Sequence, residues 1–378
     1  MNQKIKGLQK AVYLLLFIIM LIYALREAKH FLYPIALSAL FAYLLYPMTA
    51  FLEEKLKINR AISILTSMFF AFAIIYIAGN FFAVQISKMV SDFPSLKQQA
   101  IANLKNFQYM IESHTGFSVQ AQEEWLQSQV SNFFEEGGKI IKEISTQALG
   151  TIEAILFIPI FTFFMLFYRD RWRNFILMLA EHQHSKLTDN LLKQVSKVTT
   201  RYVVGVLIDV TILAIAHSTF LSIIGLKYAI IIGIMTASLS FIPYFGTLVS
   251  GIIPLTFSLL TTSEPYIPLL IIAYFALITF VDHNILIPTI IGGNVHLNPF
   301  ITILSIIAAG TIWGIPGMIV IIPTIGVIKI ICDNVDGLEP YGYVLGIETN
   351  QKTLNKLRDI FNKIKEKEDE DEEDIKSS

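Results

Sequence analysis

Three acidic residues of this chain lie within apolar stretches, where a charged side chain is costly. They are Glu153, Asp209 and Asp282. A charge at the centre of a bilayer costs ~3 kcal/mol or more, so such residues are the first candidates for an ion or solute pathway. Asp282 opens the sequence Asp282-His283-Asn284, which combines a carboxyl, an imidazole and an amide. These groups are chemically suited to a cation or a polyol.

Pro288 lies six residues after Asp282 and lacks the N–H that would donate to the carbonyl of Asn284. The freed carbonyl would then face the same site as the three polar side chains. The alternative interpretation is that Asp282 and Asn284 only cap the end of a helix.

Asp209 lies seven residues into another apolar stretch. A salt bridge to Arg201, two helical turns earlier, or a position at the membrane interface explains it as well as a transport role does. His217 lies two turns beyond Asp209 on the same helix face, which predicts either a proton relay or an ordinary buried hydrogen bond. Glu153 lies near the end of its stretch, which favours solvation at the interface.

The elements that hold these residues must be membrane helices. His283–Ile328 is a run of 46 residues, and Tyr228–Ser263 a run of 36, without Asp, Glu, Lys or Arg. A bilayer core requires such runs, whereas a water-soluble domain cannot keep them from water. Overall, 54% of the residues are hydrophobic and only 16% are charged. The chain is therefore predicted to be an all-α polytopic membrane protein.

Helix-breaking residues interrupt the two longest runs. At membrane depth they are tolerated only where the freed backbone is buried in protein or lines a cavity. A continuous helix of the shorter run would reach ~54 Å against a ~30 Å core, so broken or re-entrant segments are predicted in the C-terminal half. The breakers are Pro243, Gly246, Gly251, Pro254, Pro288, Gly292, Gly293, Pro299, Gly314, Pro316 and Gly317.

A Gly-x-x-x-Gly motif, Gly310 to Gly314, lies just before Pro316 and Gly317. Small residues at this spacing allow helices to approach closely. Tight helix packing is one interpretation of the motif, and an unwound stretch is the other.

Charge-free stretches predict about eight spans. They are Ala11–Leu25, Phe31–Leu52, Ala61–Ser87, Ile144–Tyr168, Tyr202–Leu226, Tyr228–Ser263, Tyr266–Ile287 and Phe300–Cys332. These spans divide the chain into four predicted regions. Residues 1–87 contain spans 1–3, and residues 88–143 form a helical insertion. Residues 144–332 contain spans 4–8 and the transport core, and residues 333–378 form a tail that ends in an acidic, disordered stretch.

Loop charge predicts the orientation of these spans. The loop 169–201 has a net charge of +4 and the insertion 88–143 a net charge of −2. Since positive loops stay in the cytoplasm, the loop and both termini are predicted to be cytoplasmic and the insertion extracytoplasmic.

The insertion carries apolar residues at helical spacing on two amphipathic segments. Their apolar faces either pack on each other as a helical hairpin or contact another subunit or the transport core. The residues are Leu96, Ala100, Leu104, Phe107 and Ile111, followed by Trp125, Leu126, Val130 and Phe133.

Several functional classes are excluded by what the sequence lacks. It has no nucleophile elbow, phosphate-binding loop or zinc-protease motif, so no enzyme and no ATP-driven pump is predicted. A single cysteine, Cys332, offers neither a disulfide nor a metal cluster, and no cofactor is expected. A net charge of −1 gives no basic field for nucleic acid.

Residues ~5–340 resemble the autoinducer-2 exporter-like (AI-2E) family of transporters, with the most specific matches after Arg201. The resemblance rests on six sequence features: Thr200-Arg-Tyr-Val-Val-Gly205, Gly225-Leu-Lys-Tyr-Ala229, Phe241-Ile-Pro-Tyr-Phe-Gly246, Asp282-His-Asn with Pro288 and Gly292, Leu297-Asn-Pro299, and Gly310-x3-Gly314-Ile-Pro-Gly317 followed by Ile322-Pro323. Thr247 stands where proline is common in the family.

The resemblance implies eight spans, an inner-membrane location in a bacterial cell and a homo-oligomer, expected as a pentamer. It also implies transport of a small polar solute, with export of an autoinducer-2-like signal or exchange of Na⁺ or Li⁺ for protons as alternatives. An aromatic-lined cavity formed by Phe241, Tyr244 and Phe245, with Pro243 on the same path, would suit the organic solute, and Asp282 would suit the cation. A non-transporting membrane scaffold is the remaining alternative.

The predicted orientation can be tested by cysteine accessibility in a background that lacks Cys332. Because the insertion is predicted to be extracytoplasmic, Gln108→Cys should react with an impermeant thiol reagent from outside intact cells. Gln183→Cys, in the positive loop, should react only after permeabilisation. Labelling of position 183 in intact cells would contradict this orientation.

Overall fold

The computed structural model of the protein describes residues 2–115, 128–132, 134–139, 152–180, 185–242, 245–291 and 297–347. Within these ranges the chain is helical except for turns and one isolated bridge between Leu297 and Gly346. The all-α fold is therefore confirmed.

The helices are α1 (Asn2–Glu27), α2 (Lys29–Glu54), α3 (Arg60–Ser91), α4 (Phe93–Thr115), α5 (Ile152–Phe167), α6 (Arg169–Leu179), α7 (Ser185–Ile223), α8 (Ala229–Ser238), α9 (Phe245–Ser250), α10 (Ile252–Thr261), α11 (Tyr266–Val281), α12 (Ile287–Ile290), α13 (Pro299–Trp313), α14 (Ile315–Asn334) and α15 (Glu339–Leu345). A 3₁₀ turn, Leu239–Phe241, follows α8, and a π turn, Asp282–Leu286, joins α11 to α12.

Helix length and apolarity confirm that this is a membrane protein. Five helical stretches in the described part of the chain are long and apolar enough to cross a bilayer: Lys29–Glu54, Arg60–Ser91, Lys186–Ile223, Tyr266–Ile290 and Ile315–Asn334. Shorter apolar helices cover Leu156–Phe167, Ala229–Phe241, Ile252–Thr261 and Pro299–Trp313. The number of spans stays a prediction, because the shorter helices do not reach the ~20 residues that a single crossing needs.

The described residues form two compact units. One contains those of Met1–Leu44, Phe164–Val203 and Gly293–Ser378, and the other those of Leu45–Phe163 and Val204–Gly292. The carboxyl residues at 209 and 282 therefore belong to the second unit, and the glycine motif at 310–317 belongs to the first.

In the first unit, the last predicted span is two helices rather than one. Gly314 separates α13 from α14 at φ 68° and ψ −145°, a conformation that essentially only glycine adopts. A β-carbon on Gly310 would collide with the side chain of Met318, and one on Gly317 with the carbonyl oxygen of Ala309. The Gly-rich motif therefore provides both a sharp turn and a close approach of the two helices.

In the second unit, α4 packs against the membrane helices. Leu96 and Ala100 are fully buried in a core shared with α7, α8, α10 and α11. The side-chain amide of Asn103 donates to the carbonyl oxygens of Leu260 and Thr262, both at 3.1 Å, and so satisfies the C-terminal end of α10. Of the alternatives for the insertion, contact with the helices of the predicted transport core is therefore formed.

The two segments of the insertion also contact each other. The ring of Phe93 lies edge-on to that of Phe134, with centroids 5.4 Å apart, and Lys97 lies 3.9 Å from Glu135. Val130 is buried in the same core. The other residues of the predicted stripes have side chains outside the described part: Leu104, Phe107, Ile111, Trp125, Leu126 and Phe133.

The Gly225–Ala229 motif forms the turn between α7 and α8, and Asp92 holds it. Gly225 and Tyr228 both have positive φ, at 75° and 60°. The ammonium of Lys227 donates to Asp92 Oδ2 at 2.8 Å, and the hydroxyl of Tyr228 donates to the same oxygen. Lys227, and then Tyr228, hold the pKa of the Asp92 carboxyl below its usual range. A carboxylate at the junction of α3 and α4 thus fixes a distant motif.

We expect Asp92→Asn to lower the melting temperature of the purified protein at neutral pH. The folded-state pKa of Asp92 is depressed, so its contribution is present above the ordinary aspartate value of ~3.9 and is lost as the pH falls through the folded-state value. The difference in melting temperature between wild type and variant should therefore close as the pH is lowered. Glu264→Gln, a change at another exposed carboxylate, is the control. A difference that stays constant down to about pH 3 would contradict the role of the charge.

Candidate functional site: a carboxyl pair between two membrane helices

The structure brings the carboxyl groups of Asp209 and Asp282 together. Asp209 projects from α7 and Asp282 from the first position of the π turn, and the two carboxyl groups lie close enough to interact electrostatically. Both residues are buried, with 4% and 2% of their surface exposed. One oxygen of each, Oδ1, is buried and has no hydrogen-bond partner in the described part of the chain. The pair therefore has unused acceptor capacity inside the membrane region.

A second polar contact joins the same two helices. The hydroxyl of Tyr274 on α11 lies 2.9 Å from Nδ1 of His217 on α7, and His217 is 2% exposed. His217 is eight residues after Asp209 and Tyr274 is eight residues before Asp282, so the helices run antiparallel. At 1.5 Å per residue, the two contacts are ~12 Å apart along the seam. That separation is too long for direct proton transfer between Asp209 and His217.

Apolar and aromatic side chains surround the histidine contact. The ring of Phe220 stacks on Tyr274 with centroids 3.9 Å apart, and Phe275 lies 4.9 Å from the imidazole. Further along the helices, Gly205 allows α7 to approach Ile291 closely, since an added β-carbon would lie 3.2 Å from the Ile291 Cα. The glycine of the Thr200–Gly205 motif thus lets α7 lie directly on the chain that follows the π turn.

The π turn follows from the proline predicted to disturb this helix. Pro288 has no N–H, so the carbonyl of Asn284 loses its usual donor. The N–H of Ile287 donates to the carbonyl of Asp282, five residues back, which defines a π turn. Such turns occur often at functional sites, and one wider turn shifts the angular position of the following residues by about 100°.

The other residues of the predicted polar group lie elsewhere. His283 is exposed, although it remains within electrostatic reach of Asp282. Asn284 is also exposed, and its amide donates to the carbonyl of Phe280 at 2.8 Å. The buried part of the candidate site is therefore formed by Asp282 with Asp209 rather than by residues 282–284 together.

The remaining predicted positions divide into two groups. Pro288 and Pro299 are exposed, and Pro299 starts α13 behind an Asn298 cap. Pro243, Tyr244 and Gly292 lie outside the described residues, as does the side chain of Glu153.

Gly246 lies in the break of the sixth predicted span. It is buried, its N–H donates to the carbonyl of Ile242 at 2.8 Å, and an added β-carbon would collide with the carbonyl oxygen of Leu239. The backbone therefore turns back on the 3₁₀ segment so tightly that only glycine fits.

Sequence reasoning singled out both carboxyl residues but did not pair them, and it missed Tyr274. The sequence did contain a signal: Asp209 and His217 are eight residues apart, and so are Tyr274 and Asp282. Without the packing partner of α7, that coincidence could not be used.

These features define a helical membrane protein with broken helices and a buried ionisable pair, the type of arrangement found in transporters. The family model of the AI-2E family transporters matches residues 13–337. The chain belongs to this family. Its members are transporters and not enzymes, so the chain is a membrane transporter or permease.

Curated relatives agree with this class. The "Putative transport protein YrrI" of Bacillus subtilis is 25% identical over 79% of this chain and 84% of its own. A "Putative transport protein" of Borreliella burgdorferi is 22% identical over 97% of this chain and 98% of its own. The "AI-2 transport protein TqsA" of Escherichia coli is 30% identical over 31% of this chain and 34% of its own.

We expect Gly246→Ala to destabilise the protein, because the methyl group meets backbone that cannot move aside. A loss of about 1–3 kcal/mol is typical of overpacking. Gly79→Ala is the matched control: a β-carbon at Gly79 in α3 meets nothing within 4 Å. Thermal unfolding in detergent should show a lower melting temperature for Gly246→Ala than for the wild type and no decrease for Gly79→Ala. Equal stability of the two variants would show that glycine is not required at position 246.

Proposed function

We propose that this membrane transporter moves a small polar solute without ATP and couples the movement to protons through the Asp209–Asp282 pair. The observation that carries the proposal is that two buried carboxyl groups from different membrane helices lie close enough to interact electrostatically. The path runs beside the π turn and the broken sixth span, where Gly246 lies.

The chemistry of the pair supports coupling. Two ionised carboxylates close together in a low-dielectric region repel each other strongly. The pair is therefore stable when it holds one positive charge, which is either a shared proton or a small cation. A group that alternates between these two states, or between one proton and none, can link a gradient to the movement of a solute.

The π turn supports coupling to a conformational change. It contains Asp282, and the N–H of Ile287 donates to the carbonyl of that same residue, five positions back. A change of charge at the side chain therefore acts on the residue whose backbone holds the turn. Conversion of the turn to α-helix would rotate the following segment against Gly205 of α7.

The cargo divides the proposal into two candidates. An autoinducer-2-like signal is supported by the relative named "AI-2 transport protein TqsA". Exchange of Na⁺ or Li⁺ for protons is supported by the unpartnered oxygens of the two carboxyl groups, which are hard ligands of the kind alkali cations prefer. The scaffold alternative is disfavoured, because the family consists of transporters.

The orientation and assembly remain part of the proposal. The charge of the loop 169–201 supports cytoplasmic termini in the inner membrane. The family resemblance supports a homo-oligomer, expected as a pentamer.

The proposal is tested by flux in vesicles that contain the purified protein. An imposed pH gradient should drive movement of labelled autoinducer-2 or, in the second candidate, of Na⁺ or Li⁺. Asp282→Asn and Asp209→Asn should each abolish the pH dependence, because an amide cannot release a proton. Both variants should still fold, since an amide can donate to the remaining carboxylate.

Asp336→Asn, the same substitution at an exposed position, is the control and should transport normally. Wild-type flux with unchanged pH dependence in both pair variants would disprove the coupling role. Solute flux that ignores the pH gradient even in the wild type would indicate simple facilitated flow.

A further inference from the structure

The short helix α6 exposes an apolar face that none of the described residues of its unit covers. Trp172, Phe175, Ile176 and Leu179 follow the spacing of one helix face, and they are 60%, 52%, 39% and 70% exposed. No residue of α6 is buried. A face of this size in water would be costly, so it requires an apolar environment.

The position of α6 is fixed by an ion pair on its other side. The guanidinium of Arg173 binds the carboxylate of Asp189 on α7, which also accepts from Lys193 at 2.8 Å. These two cations hold the pKa of Asp189 below its usual range, Lys193 first. The apolar face of α6 therefore points away from the polar start of α7.

The start of α6 lies at the end of a membrane helix. Only Tyr168 separates it from α5, whose last residues are apolar, and the rings of Phe164 and Tyr168 stack with centroids 5.9 Å apart. Helix α6 begins there, carries one apolar face and is too short to span the bilayer. These are the features of a helix that lies in the membrane interface. Tryptophan and tyrosine are enriched at this depth.

A cavity at this end of α6 combines an arginine with aromatic rings. It has a volume of about 290 Å³ and is lined by Tyr168, Arg171, Trp172 and Phe175. The guanidinium of Arg171 lies over the Tyr168 ring, 5.3 Å from its centroid. The cavity thus presents a planar cation beside apolar walls, an arrangement that fits a phosphate group with an attached hydrocarbon chain.

We propose that α6 binds an anionic phospholipid, with the headgroup phosphate on Arg171 and an acyl chain along Trp172, Phe175 and Leu179. Charge favours this occupant: α6 carries three arginines and one aspartate in its first five residues. A second copy of the same apolar face would leave Arg171 without a counter-charge, whereas an anionic lipid supplies one. The site is independent of the transport chemistry.

The first test follows the fluorescence of Trp172 in full-length protein in nanodiscs. Bromine on the acyl chains of phosphatidylglycerol should quench Trp172 more strongly than bromine on phosphatidylcholine. Since the chain has three tryptophans, the Trp172 signal is the difference between wild type and Trp172→Phe. Equal quenching by the two lipids would overturn the choice of an anionic headgroup.

The second test counts retained lipid by native mass spectrometry. Arg171→Gln should weaken retention of phosphatidylglycerol about fivefold, the effect of one cation at an anionic surface. Arg171→Lys should restore only part of it, because the planar fork is lost. Lys197→Gln removes the same charge from an exposed position on α7 and should leave retention unchanged.

Two outcomes would assign the face to another occupant. Competition by inorganic phosphate at the same concentration as the lipid would mean that the site takes free phosphate. Crosslinking between protomers through Phe175→Cys, without lipid quenching of Trp172, would mean that a second copy covers α6. Either result would overturn the proposal, and neither bears on the flux test of the carboxyl pair.

Discussion

The contact between the carboxyl groups of Asp209 and Asp282 sets the strictest condition that this protein must meet. Two acids cannot face each other in an apolar surrounding unless a proton or a cation lies between them. The helices that carry them must be held in register, and the antiparallel seam of α7 and α11 does this through a second contact, His217 with Tyr274. The aromatic rings around that contact keep the register with apolar packing.

The breaks in the membrane helices meet a similar condition, because polar groups in an apolar surrounding need partners. A continuous helix satisfies its own backbone and has little reason to move, whereas a break leaves groups that must find partners. Each break is accommodated by a different feature. At the π turn the carbonyl of Asp282 accepts a hydrogen bond, at Gly246 the backbone turns back tightly, and at the end of α10 the amide of Asn103 donates to the free carbonyl groups. Backbone irregularity is therefore concentrated in the unit that holds the carboxyl pair, with Gly314 providing the sharp turn in the other.

The surface of the chain divides between lipid and polar contacts. All residues from Val12 to Tyr23 of α1 are exposed, which suits a helix surrounded by acyl chains. At the start of α6 the composition changes to arginine and tryptophan, the residues of the headgroup layer. The ion pair of Arg173 with Asp189 then marks where the chain enters a polar environment. Charged residues from which the sequence predicts the orientation thus also fix a helix in place.

Much of the fold could be predicted from the sequence because a bilayer constrains it strongly. Charge-free runs specify membrane helices, and residues such as Pro288 and Gly314 specify where those helices break, since their backbone chemistry is local. The loop charge and the family motifs are equally local. For the same reason, Asp209 and Asp282 could each be recognised as costly within the membrane.

Only the tertiary structure decided which of these residues meet. The sequence grouped Asp282 with its neighbours His283 and Asn284, but helical geometry directs adjacent side chains to different faces, and the exposed pair lies apart from the buried acid. The partner is Asp209, 73 positions away in the chain, and the turn at Gly225–Ala229 depends in the same way on the distant Asp92. Such pairs follow from the packing of whole helices, which depends on the sum of many weak contacts rather than on any local pattern.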